Sequence, residues 1–129
     1  MNILLIIPAA GLTATIINFA VAQCRRLLND APGFAPFKFL PIVSGSFTGT
    51  VLAGAVYFVL QLVFEQPQIV FIVIAFAGLL ASFHLPFRLT NHRSPRFAGA
   101  TRRIQLTLCV MHTIVAVTSV FALLILNGG

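Results

Sequence analysis

Acidic side chains are nearly absent from this sequence. Its 129 residues include two carboxylates, Asp30 and Glu65, against eight Lys and Arg residues, and only 8% of the chain is charged. A soluble domain carries about 25% charged residues, which excludes an ordinary water-soluble protein. Neither carboxylate lies inside a long apolar stretch. This excludes a proton-driven drug exporter of the small four-helix kind, which needs a glutamate within the membrane.

Residues that carry catalysis are also scarce. The chain has no Trp, one Tyr and two cysteines, Cys24 and Cys109, which form no C-x-x-C pair. That argues against a thiol oxidoreductase and against covalently attached haem. No zinc-protease, nucleophile or phosphate-loop motif occurs in the sequence. We therefore predict a protein that is not an enzyme, with no catalytic residue and no metal site.

Apolar residues make up 59% of the chain and are gathered into long stretches. A helix needs about 20 apolar residues to cross the hydrocarbon core of a bilayer. Stretches of this kind occupy residues 3–22, 42–64, 69–87 and 104–126. The sequence predicts an all-α, polytopic membrane protein, a bundle of four transmembrane helices that forms one domain over residues 1–129.

All eight basic residues lie in two of the loops between the predicted helices. Arg25, Arg26 and Lys38 follow the first helix, and five arginines follow the third: Arg88, Arg93, Arg96, Arg102 and Arg103. Loops rich in Lys and Arg stay on the cytoplasmic side. We therefore predict a multi-pass protein of the cytoplasmic (cell inner) membrane with both termini outside, and no nucleic-acid partner despite the net charge of +6. The five arginines are expected to contact anionic lipid headgroups or an acidic partner; the alternative is that they fix topology alone.

His112 lies within the last apolar stretch, where an imidazole is costly without a partner. Together with Asn18 and His84 it falls in the half of the predicted bundle nearer the basic loops, which predicts a cavity open to that side and lined by these three residues. His84 and His112 differ in depth by about 7 Å at the helical rise, which fits two-histidine haem ligation poorly. Three roles for His112 stay open: a contact to haem, a pigment or another small molecule, a proton acceptor on a transport path, or a hydrogen bond that fastens its helix to the bundle.

Small residues recur at helical spacing in all four predicted helices. Helices in lipid associate through small residues and hydrogen bonds, since apolar burial gives no advantage there. On the last helix, polar and small residues spaced alternately by four and three positions are predicted to form a seam that faces a neighbouring helix. The residues concerned are Gly11, Ala14 and Asn18; Gly45, Gly49 and Ala53; Ala77 with Ala81 and Gly78 with Ser82; and Gln105, Cys109, His112, Ala116 and Ser119.

The stretch GATRRIQLTLCVMHTIVAV, together with LPIVSGSFTGTVLAGAVYFVL and SFHLPF, resembles a bacterial family of small four-helix integral membrane proteins with no assigned function. The resemblance covers the second to fourth helices and places Met111 and His112 on the family's Leu-x-x-Met-His motif. It implies a four-helix membrane fold and supplies no cofactor or chemistry.

The sequence therefore favours a small integral membrane protein that acts as a non-enzymatic structural or accessory component of a membrane assembly. Its expected partners are membrane lipids and other membrane chains or further copies of itself. The alternative is a binder or carrier of a small apolar ligand, such as a quinone, pigment, haem or lipid, held in the bundle interior beside His112 and Asn18.

Overall fold

The computed structural model describes residues 2–27, 38–84 and 102–128, and these residues form four α-helices. The helices are α1 (Ile3–Leu27), α2 (Phe39–Val63), α3 (Pro67–Ser82) and α4 (Arg102–Gly128). The all-α class is thereby confirmed. Arg88, Arg93 and Arg96 lie outside the described residues, as do the last three residues of the predicted third helix.

Local chemistry accounts for the helix ends. Asn2 caps α1 because its side-chain oxygen Oδ1 accepts a hydrogen bond from the backbone N–H of Leu4 at 3.1 Å. Pro41 falls in the first turn of α2 and Pro67 begins α3, positions where the missing N–H of proline breaks no helical hydrogen bond. Three residues, 64–66, separate α2 from α3, so these two helices form an antiparallel hairpin.

Two apolar clusters of buried residues set the directions of the helices. One joins the end of α1 to the beginnings of α2 and α4, through Ala22, Ile42 and Ile104. The other joins the beginning of α1 to the end of α2, the beginning of α3 and the end of α4, through residues that include Ile6, Tyr57, Phe71 and Leu123. Hence α1 and α3 run one way and α2 and α4 the other. We call the two ends of the bundle the basic end and the Glu65 end.

Described basic residues lie at one end of the bundle. Arg25 is in the last turn of α1, Lys38 immediately precedes α2, and Arg102 and Arg103 begin α4. Glu65 lies in the α2–α3 hairpin, at the opposite end. The charge asymmetry predicted from the loops is therefore present in the fold itself.

Three of the four helices are long and apolar enough to cross a membrane: Ile3–Arg25, Phe39–Val63 and Arg102–Leu126. The described part of α3 is shorter, with 16 residues, or about 24 Å of helix. The prediction placed this helix at 69–87, whereas α3 begins two residues earlier, at Pro67, and ends at Ser82. α1 and α4 are longer than predicted because their ends continue into polar sequence. α2 begins three residues earlier than predicted, at Phe39, and ends one residue earlier, at Val63.

The packing of α3 differs from that of the other helices. Pro67 and Phe71 are its buried residues, both near the Glu65 end, and Ala77 and Ala81 of the predicted small-residue seam are exposed. Closer contacts join the remaining helices: a Cβ added to Gly49 would lie 2.6 Å from Val115 Cγ1, and one added to Gly11 would lie 2.9 Å from the ring of Phe47. Because α3 packs tightly at one end alone, a space remains beside it at the basic end.

Candidate functional site

The space beside α3 is a cavity of about 560 Å³. Its lining residues come from α2, α3 and α4, together with Asn18 of α1. Aliphatic and aromatic side chains dominate the wall towards the Glu65 end, where the lining includes Leu52, Val56, Phe71, Ile74, Val115 and Val120. A mostly apolar lining with a few polar groups is the usual composition of a small-molecule site.

Two of the predicted small-residue positions face the cavity and not a neighbouring helix. Gly45 on α2 and Gly78 on α3 line the cavity, and a Cβ added to either one would have no atom within 4 Å. Gly49 lines the same wall but approaches α4 closely at Val115. The small residues of α2 therefore serve two purposes, since some bring helices together and others leave room between them.

The antiparallel register of α2 and α3 places two cavity-lining serines at one height along the bundle and a pair of buried aromatic rings at another. Tyr57 and Phe71 pack against each other at the Glu65 end with their ring centroids 4.9 Å apart and their ring planes tilted by 56°, and both are buried. Eleven residues separate Tyr57 from Ser46 on α2, and eleven separate Phe71 from Ser82 on α3. Ser46 and Ser82, which both line the cavity, therefore lie at a similar level along the helices, about 16 Å from the Tyr57–Phe71 pair at the helical rise. We call this the polar level of the cavity.

Asn18 connects three helices at this level. Its side-chain nitrogen Nδ2 donates to Ser46 Oγ of α2 at 3.3 Å and to the carbonyl oxygen of Met111 on α4 at 3.4 Å. The side chain is 3% exposed, and its oxygen Oδ1 is buried without a hydrogen-bond partner in the described structure. A buried acceptor left unpaired costs about 1–3 kcal/mol, and because this oxygen has almost no accessible surface, a molecule in the cavity does not reach it.

His112 lines the cavity one residue beyond Met111. Its ring nitrogen Nδ1 lies 2.6 Å from the carbonyl oxygen of Leu108, one turn earlier on the same helix. Because a carbonyl oxygen can only accept, Nδ1 carries the proton, and in the neutral imidazole the lone pair is on Nε2. His112 forms no hydrogen bond to another helix among the described residues. The imidazole thus has a backbone partner, but on its own helix and not on a neighbour that it would fasten.

Hydroxyl groups in the helices are mostly satisfied within their own helix. Thr15, Thr50, Thr107 and Thr118 each donate to a carbonyl oxygen one turn earlier, at 2.6–3.1 Å. Such back-bonding satisfies a hydroxyl where water is absent. Ser119 differs: it lines the cavity, is 1% exposed, and its Oγ has no partner in the described part of the chain.

The residues predicted to bind a ligand do not all meet at this cavity. Asn18 and His112 line it together, whereas His84 is exposed beyond the end of α3 and does not line it. Arg102 and Arg103 are exposed at the basic end, away from the lining. Within the described ranges no group of three or more His, Cys, Asp or Glu residues is placed to hold a metal ion.

Sequence reasoning missed three serines as site residues: Ser46, Ser82 and Ser119, all of which line the cavity. Ser82 lies four residues after Gly78 and Ser46 follows Gly45. The positions of these two cavity-lining glycines were therefore the sequence feature that could have indicated Ser46 and Ser82.

The residues predicted to form one seam on α4 do not all face the same surroundings. His112, Ala116 and Ser119 line the cavity, whereas Cys109 lines a separate apolar groove beside Ile17 of α1.

Comparison of the chain with protein-family models, with curated proteins and with solved structures finds no match. The site therefore has to be interpreted from its own geometry.

Proposed function

We propose that this protein is an integral membrane protein that binds a small, largely apolar molecule in the cavity between α2, α3 and α4. The observation that carries the proposal is a cavity of about 560 Å³ with a mostly apolar lining and a few polar residues: Asn18, Ser46, Ser82, His112 and Ser119. Ligand sites measure roughly 300–1,000 Å³ and combine an apolar lining with a few polar groups that fix orientation. The role is binding or carriage and not catalysis.

The proposed setting is the cytoplasmic membrane, crossed four times with both termini outside. Support comes from the three long apolar helices and from the gathering of Arg25, Lys38, Arg102 and Arg103 at one end, since basic residues favour the cytoplasmic side. In this setting α3 is the fourth span, and a short span is accommodated by local thinning of the bilayer. The cavity then opens towards the cytoplasmic half.

Two alanines on α3 provide a matched test. Ala75 lines the cavity, whereas Ala77, two residues away on the same helix, is exposed and does not line it. Phenylalanine at position 75 fills the cavity, and phenylalanine at position 77 projects away from it. Wild-type protein purified in mild detergent should release a bound small molecule in native mass spectrometry and, if the molecule absorbs, show it in the visible spectrum. Ala75→Phe should lose that molecule and Ala77→Phe should keep it.

A result in which both variants retain the molecule equally, or in which wild-type protein carries bulk lipid alone, would contradict binding in this cavity. Thermal melting of each variant, followed by circular dichroism, would verify that the bundle remains folded.

The second candidate is the one that composition favours, a structural or accessory component of a membrane assembly. The specific observation is that α3 buries Pro67 and Phe71 and leaves most of its remaining surface exposed. A neighbouring membrane chain or a second copy would cover this surface, and the arginines of the basic end would contact lipid headgroups or the partner. In this case Ala77→Phe, and not Ala75→Phe, would release a stoichiometric protein partner from the purified complex. The resemblance to small four-helix proteins agrees with either candidate.

A further inference from the structure

We infer that the ligand of this cavity is an amphiphile with a hydrocarbon chain and a head group that donates hydrogen bonds, such as a long-chain alcohol. The head lies among Asn18, Ser46, Ser82 and His112, and the chain extends along the cavity to the Tyr57–Phe71 pair. This inference rests on the proposed function and specifies its ligand class. It follows from the hydrogen-bonding state of the polar atoms, from the shape of the cavity and from the register of α2 and α3.

Two of the groups at this level of the cavity can only accept a hydrogen bond. Nε2 of His112 has a lone pair because Nδ1 donates to Leu108. The Oγ of Ser82 already donates to the carbonyl oxygen of Leu79 at 2.7 Å, so it has only lone pairs to offer. Ser46 Oγ accepts from Asn18 and keeps its own O–H as a donor. A head group with an O–H donates to His112 or Ser82 and also accepts from Ser46, whereas an ether, ester or quinone carbonyl has no proton for the two acceptors.

The cavity is long enough to hold an extended hydrocarbon chain. On α2 the lining runs from Pro41 to Val56, which is about 22 Å of helix. The volume of about 560 Å³ extends along this length, so a chain that lies parallel to the helices has room between its two ends.

The register sets the direction and length of the chain. About 16 Å separates the level of Ser46 and Ser82 from the buried Tyr57–Phe71 pair. A saturated chain extends by about 1.2 Å per bond, judged from the reach of an extended backbone. Roughly a dozen carbons therefore span the distance from the polar level to the Tyr57–Phe71 pair.

The fluorescence of Tyr57 can show where the end of the ligand's hydrocarbon chain lies. It is the single tyrosine of a chain without tryptophan, and it is fully buried against Phe71, which lines the cavity. Bromine quenches tyrosine fluorescence at short range. Three probes would be titrated into protein in nanodiscs: dodecanol brominated at the chain end, the methyl ether of that compound, and dodecanol brominated next to the hydroxyl-bearing carbon. Tyr57→Phe supplies the blank.

We expect saturable quenching by the chain-end bromoalcohol, reversed by unlabelled dodecanol. The methyl ether should need roughly fivefold to tenfold more probe for half-maximal quenching, since it lacks the donor. The alcohol brominated beside its hydroxyl should quench little, because its bromine remains about 16 Å away. His112→Phe should remove the preference for the alcohol, and His84→Phe, the same change at a histidine outside the cavity, should not. Ser82→Ala serves as a second variant that removes one acceptor with little change in volume.

The possible outcomes distinguish a failure of this inference about the ligand from a failure of the proposed binding function. Equal quenching by the alcohol and its ether would overturn the donor head group while leaving apolar binding intact. Stronger quenching by the bromine beside the hydroxyl would overturn the direction of the chain. The absence of saturable quenching with all three probes would overturn the cavity as a binding site for such chains, and the proposed function with it.

Discussion

Adding one methyl group at Gly49 should destabilise the bundle, whereas adding the same group at Gly45 should not. Both glycines lie on α2 and line the cavity, so helix propensity and lipid environment are closely matched. A Cβ at position 49 would lie 2.6 Å from Val115 Cγ1, while a Cβ at position 45 has no atom within 4 Å. Valine is held in one preferred rotamer in a helix, so Val115 cannot turn its methyl group away.

The magnitude follows from two opposing effects. Replacing Gly by Ala inside a helix gains about 1 kcal/mol of intrinsic helix stability. Forcing an extra carbon into a packed contact costs about 1–3 kcal/mol. Gly45→Ala should therefore raise the free energy of unfolding by up to about 1 kcal/mol, and Gly49→Ala should fall about 1–3 kcal/mol below it.

Unfolding of the purified protein by SDS in mixed micelles, followed by the fluorescence of the buried Tyr57, would measure both variants. Val115→Ala removes the colliding methyl group, so the double variant with Gly49→Ala should show a favourable coupling energy of about 0.5–3 kcal/mol. Equal stability of Gly49→Ala and Gly45→Ala, or the absence of coupling to Val115, would refute the close approach of α2 and α4 at this position.

Two other substitutions test the buried polar groups and the orientation. Tyr57→Phe removes a buried hydroxyl that has no partner in the described structure, so the free energy of unfolding should rise by about 1 kcal/mol; a clear decrease, measured by circular dichroism during SDS unfolding, would mean that the hydroxyl binds a partner or a water molecule. Cys24 is exposed near the basic end, in the last turns of α1. With Cys109 replaced by Ala, a membrane-impermeant maleimide should label Cys24 in inverted membrane vesicles and not in intact cells; labelling of intact cells would reverse the proposed orientation.

The sequence by itself determined where the helices lie and which end of the bundle carries the charge. Within an apolar solvent a backbone must satisfy its hydrogen bonds inside its own segment, so long apolar stretches predict helices without knowledge of the partners. The three-residue connection at 64–66 likewise fixes an antiparallel hairpin. The end of α3 at Ser82 was missed, because hydropathy continues past the residue where the described helix ends.

Composition and spacing also identified Asn18 and His112 as interior polar residues, and both line the cavity. They could not reveal the hydrogen bond of His112, because whether an imidazole bonds to its own helix or to another depends on a side-chain rotamer and on the distance to the neighbouring helix. The exclusion of His84 from the cavity depends in the same way on where the end of α3 lies relative to the cavity.

Only the tertiary structure decided which glycines bring helices together and which leave a space. Gly45 and Gly49 are equivalent in sequence, four residues apart on one face of α2, yet Gly49 meets Val115 and Gly45 meets nothing. The difference arises because α4 meets α2 at Gly49, through Val115, whereas the surface of α2 at Gly45 borders the cavity. Spacing along one helix defines a face, but the position of the neighbouring helices decides whether that face is a contact or the wall of a cavity.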